Sequence, residues 1–325
     1  MKVTKWLRNL KRIFQYIIVA FGDGWRYIRC SSLIFDVNDA ATVESKLNIL
    51  AHKIEKGLAL PVPKKGFGQP VVKELMRYHE HLEKLDSGSA ALRFSLGALS
   101  SYLDAGHLFH LNSGLAHEIE EFVSSRKNTP CEGGLVNLGR KELLSLIPEG
   151  IEQFFLSRHS VRDFSQRPVN RKVILSAVQL AQRSPSVCNR QPWRVYIVQS
   201  EKKKKEVLSF QNGNSGFGHS ASAVLLVTVP LKSFHGPFER NEAFVDGGIF
   251  SMSLIWALHA LGLGSCALNW CASKKRDNGV RAALGVPKDE VVIMMIAVGH
   301  LKEQFSVARS PRRPVEEVVV ASGDG

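Results

Sequence analysis

The 325-residue sequence is short of cysteine, of aromatic residues and of acid. Its five cysteines, Cys30, Cys131, Cys188, Cys266 and Cys271, are odd in number and scattered. None forms a CxxC pair, which excludes a zinc ribbon and a dithiol redox motif. Reduced thiols in a cytoplasmic protein are the expectation. Long apolar runs are also missing. Within the first thirty residues the longest, YIIVAFG at residues 16–22, is far too short to span a bilayer. The N-terminal region makes a poor secretory signal, because Gln15 interrupts its apolar stretch and no small-residue cleavage site follows. Acidic residues number 30 against 43 Lys and Arg, leaving a net charge of +13. Such an excess attracts nucleic acid, anionic lipid or a phosphate-bearing small molecule. The densest basic run, Lys202–Lys205, is flanked by Glu201 and Glu206 and has no interleaved aromatics, so it reads as a solvated helix face rather than a nucleic-acid site.

What is present divides into three parts: a basic amphipathic segment at 1–30, a helical region at 31–139 and a mixed domain at 140–325. In the first, Lys2, Lys5, Arg8, Lys11, Arg12, Arg26 and Arg29 face a single acid, Asp23. Trp6, Leu7, Leu10, Ile13, Phe14, Ile17 and Ile18 recur at helical spacing. Two readings stand side by side: a helix resting on the anionic inner surface of a membrane, or a helix docked on its own protein. Residues 40–127 read as successive amphipathic helices, one carrying the stripe Leu47, Leu50, Ile54 and Leu58, and 128–139 reads as a linker rich in Pro and Gly. From about residue 150 the texture changes. Strand-length apolar runs at 194–200, 223–229, 264–270 and 291–299 alternate with helical stretches, which gives an α/β or α+β domain.

Four constellations in that domain carry chemistry. SRHSVRDFS, residues 157–165, offers two guanidiniums and a hydroxyl just ahead of a helical stretch, a setting suited to a phosphate. SPSVCNRQPW, 184–193, holds Ser186, Asn189 and Gln191 between Pro185 and Pro192, a rigid loop suited to a heterocycle with alternating donors and acceptors. In the third, 246–270, Gly247, Gly248, Ser251 and Ser253 permit close approach of a neighbouring element or a ligand. The fourth, RSPRRPVEE at 309–317, crowds three more arginines together.

In this order the four motifs resemble the nitroreductase family of FMN-dependent oxidoreductases over roughly residues 150–320. The resemblance implies an α+β fold with a central mixed, largely antiparallel sheet flanked by helices, here preceded by an all-helical extension. It implies bound FMN, with NADH or NADPH as electron donor, and a homodimer with FMN at the subunit interface. It places Arg158 and Ser160, with His159 beside them, on the phosphate or ribityl chain, and Arg162 near the flavin ring. Pro185, Ser186 and Asn189 match the loop that meets FMN, often from the partner subunit. Ala267, Leu268 and Asn269 match the strand whose backbone faces the flavin, with the Asn269 N–H toward N5. Arg312 and Arg313 match the C-terminal phosphate-binding position. The resemblance assigns no catalytic side chain, and no metal site is expected. Trp270 is expected to narrow the substrate side. Residues 52–68, HKIEKGLALPVPKKGFG, more faintly resemble an extension of nitroreductase-like proteins linked to surface polysaccharide synthesis. Two functions follow as expectations. One is a ping-pong oxidoreductase acting on a nitro compound, a quinone or a cell-envelope metabolite. The other is a membrane-associated flavin-binding accessory of polysaccharide synthesis with little turnover.

Overall fold

A computed structural model describes residues 2–34, 36–61 and 64–320, and the side chains from Asn9 onward within them. Trp6 and Leu7 of the predicted N-terminal stripe therefore lie outside the described side chains. The first helix, α1 (Lys2–Cys30), leads into α2 (Ala40–Leu58), α3 (Gln69–Leu85), α4 (Ala90–Asp104) and α5 (Ser113–Ser124). Asp39 starts α2 as its N-cap, accepting from the N–H groups of Ala41 and Thr42 at 3.0 and 3.3 Å. The predicted stripe Leu47, Leu50, Ile54 and Leu58 is buried, against Val72, Leu75 and Leu82 of α3 and Leu92 and Leu99 of α4. This cluster of buried residues is drawn wholly from 43–119. His79 sits within the helical layer, its Nδ1 2.8 Å from Ser95 Oγ, and burial pushes its pKa down to about 4.

The remaining chain contributes α6 (Arg140–Ser145), α7 (Ile151–Ser157), α8 (Arg171–Ala181), α9 (Glu201–Leu208), α10 (Glu242–Ala260) and α11 (Lys274–Leu284) around four strands. The strands are β1 (Arg194–Val198), β2 (Ala223–Pro230), β3 (Leu263–Leu268) and β4 (Glu290–His300). They pair antiparallel in the order β1-β2-β4-β3, with Val195 opposite Val227, Leu225 opposite Ile296 and Cys266 opposite Ala297. A parallel bridge between Ser160 and Ser265 makes the sheet mixed. The strand period of two sorts β2 onto two cores. Leu225 and Val227 meet Ile174, Phe250, Leu254 and Leu258 of α8 and α10, whereas Val224 and Leu226 meet Val207 of α9 and Val280 of α11. Both faces are thus covered, which is why β2 reads as a continuous apolar run. The segment Pro237–Ala260 is long and apolar enough to cross a membrane by length and composition, but nine of the 19 residues of α10 are buried and the helix packs on the sheet.

The helical layer is fastened to the sheet domain by polar contacts. Ser45 Oγ donates to Ser233 O at 2.8 Å, Lys232 pairs with Asp39 at 2.5 Å, and Ser32 Oγ donates to Lys232 O.

Candidate functional site

The RHSVR segment is not at a helix N-terminus, as the sequence suggested. It follows α7 directly, and α8 begins only at Arg171 behind its N-cap Asn170. Residues 160–165 instead run extended along the sheet. Val161 N–H donates to Ser265 O at 2.9 Å, and Ser165 N–H to His300 O at 2.9 Å. Two glycines allow this close approach. A Cβ on Gly264 would stand 2.8 Å from Leu301 Cδ2 and 3.2 Å from Val161 Cβ, and one on Gly299 would stand 2.7 Å from Phe164. A helix dipole therefore contributes nothing here; whatever anion affinity the segment has comes from its side chains.

Those side chains are held from behind. Arg158 lies over the Trp256 ring at 5.8 Å, within an aromatic group that includes Phe154, Phe155 and His259. The preceding Ser157 Oγ is 2.8 Å from His259 Nε2. Burial raises the pKa of the Cys266 thiol on β3, opposed by the Arg162 and Arg158 charges and by a hydrogen bond from Ser160, so all three side chains surround this strand. Among the described residues neither Arg158 nor Arg162 has an ion-pair partner, while the neighbouring Asp163 is taken by Lys302 at 2.6 Å. His159 is half-buried between them. The C-terminal tail leaves β4 on this same side: Lys302 holds Asp163, and Val307 packs into the cluster that contains Val161, Cys266 and Leu268. Arg312 and Arg313, further along, are exposed, and Arg312 Nη1 donates to Ser310 O at 2.5 Å.

β3 is buried from Leu263 to Cys266 and again at Leu268, but Ala267 and Asn269 are open to solvent. Gln211 Nε2 donates to Asn269 O at 2.8 Å, and Asn269 Oδ1 accepts from Cys271 N–H at 3.0 Å, which fixes the backbone there. Trp270 does not narrow this open face. It packs against the core under α9 and α11, and its Nε1 donates to Asp277 Oδ1 at 2.9 Å.

The loop 184–193 contacts other parts of the chain. Cys188, Asn189 and Gln191 all have φ near +50°, a conformation side-chain-bearing residues adopt only when their surroundings hold them there. Three partners do so. Ser186 Oγ accepts from Gln191 N–H at 2.9 Å, the buried Asp246 carboxylate accepts from Val187 N–H at 3.2 and 3.3 Å, and buried Arg190 makes a two-pronged bond to Glu239 at 2.8 and 2.9 Å. Arg190 also donates to Ser233 O at 2.9 Å. Burial lifts the Asp246 pKa to about 6 against the pull of the Val187 N–H, whereas the Arg190 guanidinium and the His235 N–H bring Glu239 below the usual range despite its own burial. Pro185 and Asn189 are exposed and Ser186 is half-buried. A cavity of about 240 Å³ adjoins the loop, lined by Asn189 and Gln191 on one side and Asn48, His52, Glu55 and Glu132 of the helical region on the other. Glu55 accepts from Gly134 N–H at 2.8 Å, and burial raises its pKa.

Thus Arg158, His159, Ser160 and Arg162 are gathered near Ser265 and Cys266 of β3 and the start of the C-terminal tail. Pro185, Ser186 and Asn189 belong to a separate, buttressed loop. Arg190 and Asp246, which set that loop's shape, were not among the predicted site residues. Gly247 serves packing: a Cβ there would meet Ile293 Cγ1 at 2.5 Å, so its bareness brings α10 down onto the sheet.

Residues 156–300 match the family model described as "Nitroreductase family". An Archaeoglobus fulgidus protein whose name carries "NADH dehydrogenase/NAD(P)H nitroreductase" is 26% identical over 151 residues, covering 46% of this chain and 83% of that one. A "4-nitrobenzoate reductase" of a Nocardioides strain is 22% identical over 222 residues, covering 53% of this chain and 89% of its own. Among solved structures, an "FMN-dependent Nitroreductase" of Clostridium difficile R20291 aligns with a TM-score of 0.42 at 20% identity, over 48% of this chain and 91% of that one. The motifs and the mixed sheet agree with this match: residues 156–300, which carry the site, are similar to the nitroreductase family.

Proposed function

We propose that the protein is an FMN-dependent oxidoreductase that passes reducing equivalents from NADH or NADPH to an organic acceptor. The observation that carries this reading is the set of unpaired cations on the open edge of the sheet. Two guanidiniums and a hydroxyl surround β3, with no carboxylate to neutralise them among the described ion pairs, and further arginines follow on the tail that leaves β4 beside them. This donor set suits a phosphate ester. The exposed Ala267 and Asn269 next to it leave room for a planar ring against the strand.

When bound, FMN supplies the hydride-carrying chemistry that no side chain of the site can provide. The protein's own groups bind and orient it. Arg158 and Ser160, with His159 beside them, hold the phosphate and ribityl chain, joined by Arg312 and Arg313. Arg162 stabilises negative charge at the ring's pyrimidine edge. The Asn269 N–H, on a backbone fixed by Gln211, donates to the ring, flanked by Ala267 and Leu268. The loop of Pro185, Ser186 and Asn189 turns toward the helical region rather than toward Arg158 within one chain. We therefore assign it to the site of a second subunit in a homodimer. Donor and acceptor share one face of the flavin in turn, which gives ping-pong kinetics. A nitro compound, a quinone or a cell-envelope metabolite fits the acceptor role.

Reconstitution tests the proposal. The purified chain should take up FMN stoichiometrically and elute as a dimer, and Arg158→Ala should weaken flavin binding roughly ten- to hundredfold, the worth of one charge-assisted hydrogen bond. Equal flavin affinity in the variant, or no uptake by the parent, refutes the assignment.

A further inference from the structure

α1 is the part of the molecule that flavin binding does not use. Its 29 residues make a rod about 43 Å long at 1.5 Å per residue. From Asn9 to Cys30 only Arg26, Tyr27 and Cys30 are withdrawn from solvent. Among the described residues the helix is fastened at that end: Tyr27 Oη donates to Gly236 O at 2.6 Å, and Arg26 donates to Lys288 O at 3.1 Å and to Glu290 O.

The geometry of this attachment decides which face is free. At about 100° per residue, Leu10, Ile13, Phe14, Ile17, Phe21, Trp25 and Ile28 fall in one arc of about 120°. Arg26 projects from the opposite side, and Tyr27 falls outside the arc, toward the back. The body thus grips the polar back of the helix, and the apolar face points away from it. These seven side chains are between 43% (Leu10) and 75% (Phe21) exposed. They form a contiguous stripe rather than scattered surface hydrophobes, and such a stripe requires a partner. Lys11 and Arg29 border it and Arg12 lies behind, with Asp23 as the lone acid from Asn9 to Cys30.

We propose that α1 lies in the interface of an anionic lipid bilayer, inserting the Phe14–Phe21–Trp25 face among the acyl chains with its basic flank against the headgroups. Charge chooses this occupant over a second copy of the chain. Two such helices packed face to face would bring cationic flanks together, with no acidic flank to answer them. The stripe is also broader than the seam of a two-stranded coiled coil and carries the aromatic and cationic mixture of interfacial helices. Lipid anchoring at α1 does not depend on flavin, so it stands or falls separately from the oxidoreductase reading.

Flotation of the full-length protein with vesicles tests the proposal. Binding to phosphatidylglycerol-containing vesicles should exceed binding to pure phosphatidylcholine by about tenfold or more and should weaken in high salt. Ile17→Asp with Phe21→Asp should abolish it, and Lys11→Glu with Arg12→Glu should remove the lipid selectivity. Both double variants should keep the parent's flavin content and its mass in lipid-free light scattering. Parent protein that ignores anionic vesicles overturns the proposal. So does an Ile17→Asp/Phe21→Asp variant with a smaller lipid-free oligomer, which would make the stripe a contact between subunits.

Discussion

Asp246 offers a test of how the loop at 184–193 is held. Its carboxylate is 2% exposed and its pKa stands at about 6, raised by burial from an ordinary 3.8. A raised carboxyl pKa means that the folded chain holds a proton which the unfolded chain has released. Stability is then greatest below pH 4 and falls as pH rises through 6. The shift of about two pH units corresponds to a loss of about 3 kcal/mol between pH 4 and pH 7. His79 and His235 work in the opposite sense. Burial lowers both to about 4, so the unfolded chain binds the extra protons and stability is lost as pH falls from 6.5 toward 4. The parent's profile is therefore a sum of opposing slopes, and Asp246→Asn separates them. The amide keeps an oxygen for the Val187 N–H but cannot ionise. Denaturation of parent and variant by urea, followed by circular dichroism from pH 4 to pH 8, gives a difference curve in which the histidines cancel. The variant should gain about 3 kcal/mol relative to the parent across this range, most of it between pH 4.5 and 6.5. A difference that stays flat with pH would show that the Asp246 carboxyl titrates normally, and the account of the loop's support would be wrong.

Three further outcomes follow from the geometry. Arg190→Met leaves Glu239 without its two-pronged partner and should cost about 3 kcal/mol in denaturation. Because the single variant leaves the partly buried Glu239 carboxylate without its cation, Arg190→Met/Glu239→Gln, which removes that charge, should recover part of the loss. Gly247→Ala drives a methyl into Ile293 and should destabilise by about 1–3 kcal/mol, whereas Gly248→Ala, with nothing within 4 Å of the new Cβ, should be neutral or stabilise by up to about 1 kcal/mol. Tyr196→Phe removes the hydroxyl that donates to buried Glu290 at 3.0 Å and should cost about 1–2 kcal/mol in the same melts.

The elements of this fold were legible where burial is periodic. The stripe of α2 and the two-faced apolar runs of β2 and β4 are written locally, one residue after another. The strand at 264–270 was read two residues too far, because Asn269 and Trp270 leave the ladder to meet Gln211 and Asp277. The site was legible as motifs and not as geometry. Arg158 and Ser160 stand out by type, but nothing local says that they lie along β3 instead of capping α8. That follows from Gly264 and Gly299, whose missing side chains are filled by Val161, Leu301 and Phe164. Arg190 and Asp246 escaped because their partners are 49 and 59 residues distant in sequence. The direction of Trp270 was misjudged for the same reason: a large side chain near an open face says nothing about which way it turns.

Anaerobic titration of the FMN-loaded protein with NADH and with NADPH tests the central claim most directly. The oxidised-flavin absorbance should bleach with one equivalent of at least one of the two nucleotides and return when a quinone or nitro compound is added. A bound flavin that neither nucleotide reduces, in protein that is folded and dimeric, would contradict the account.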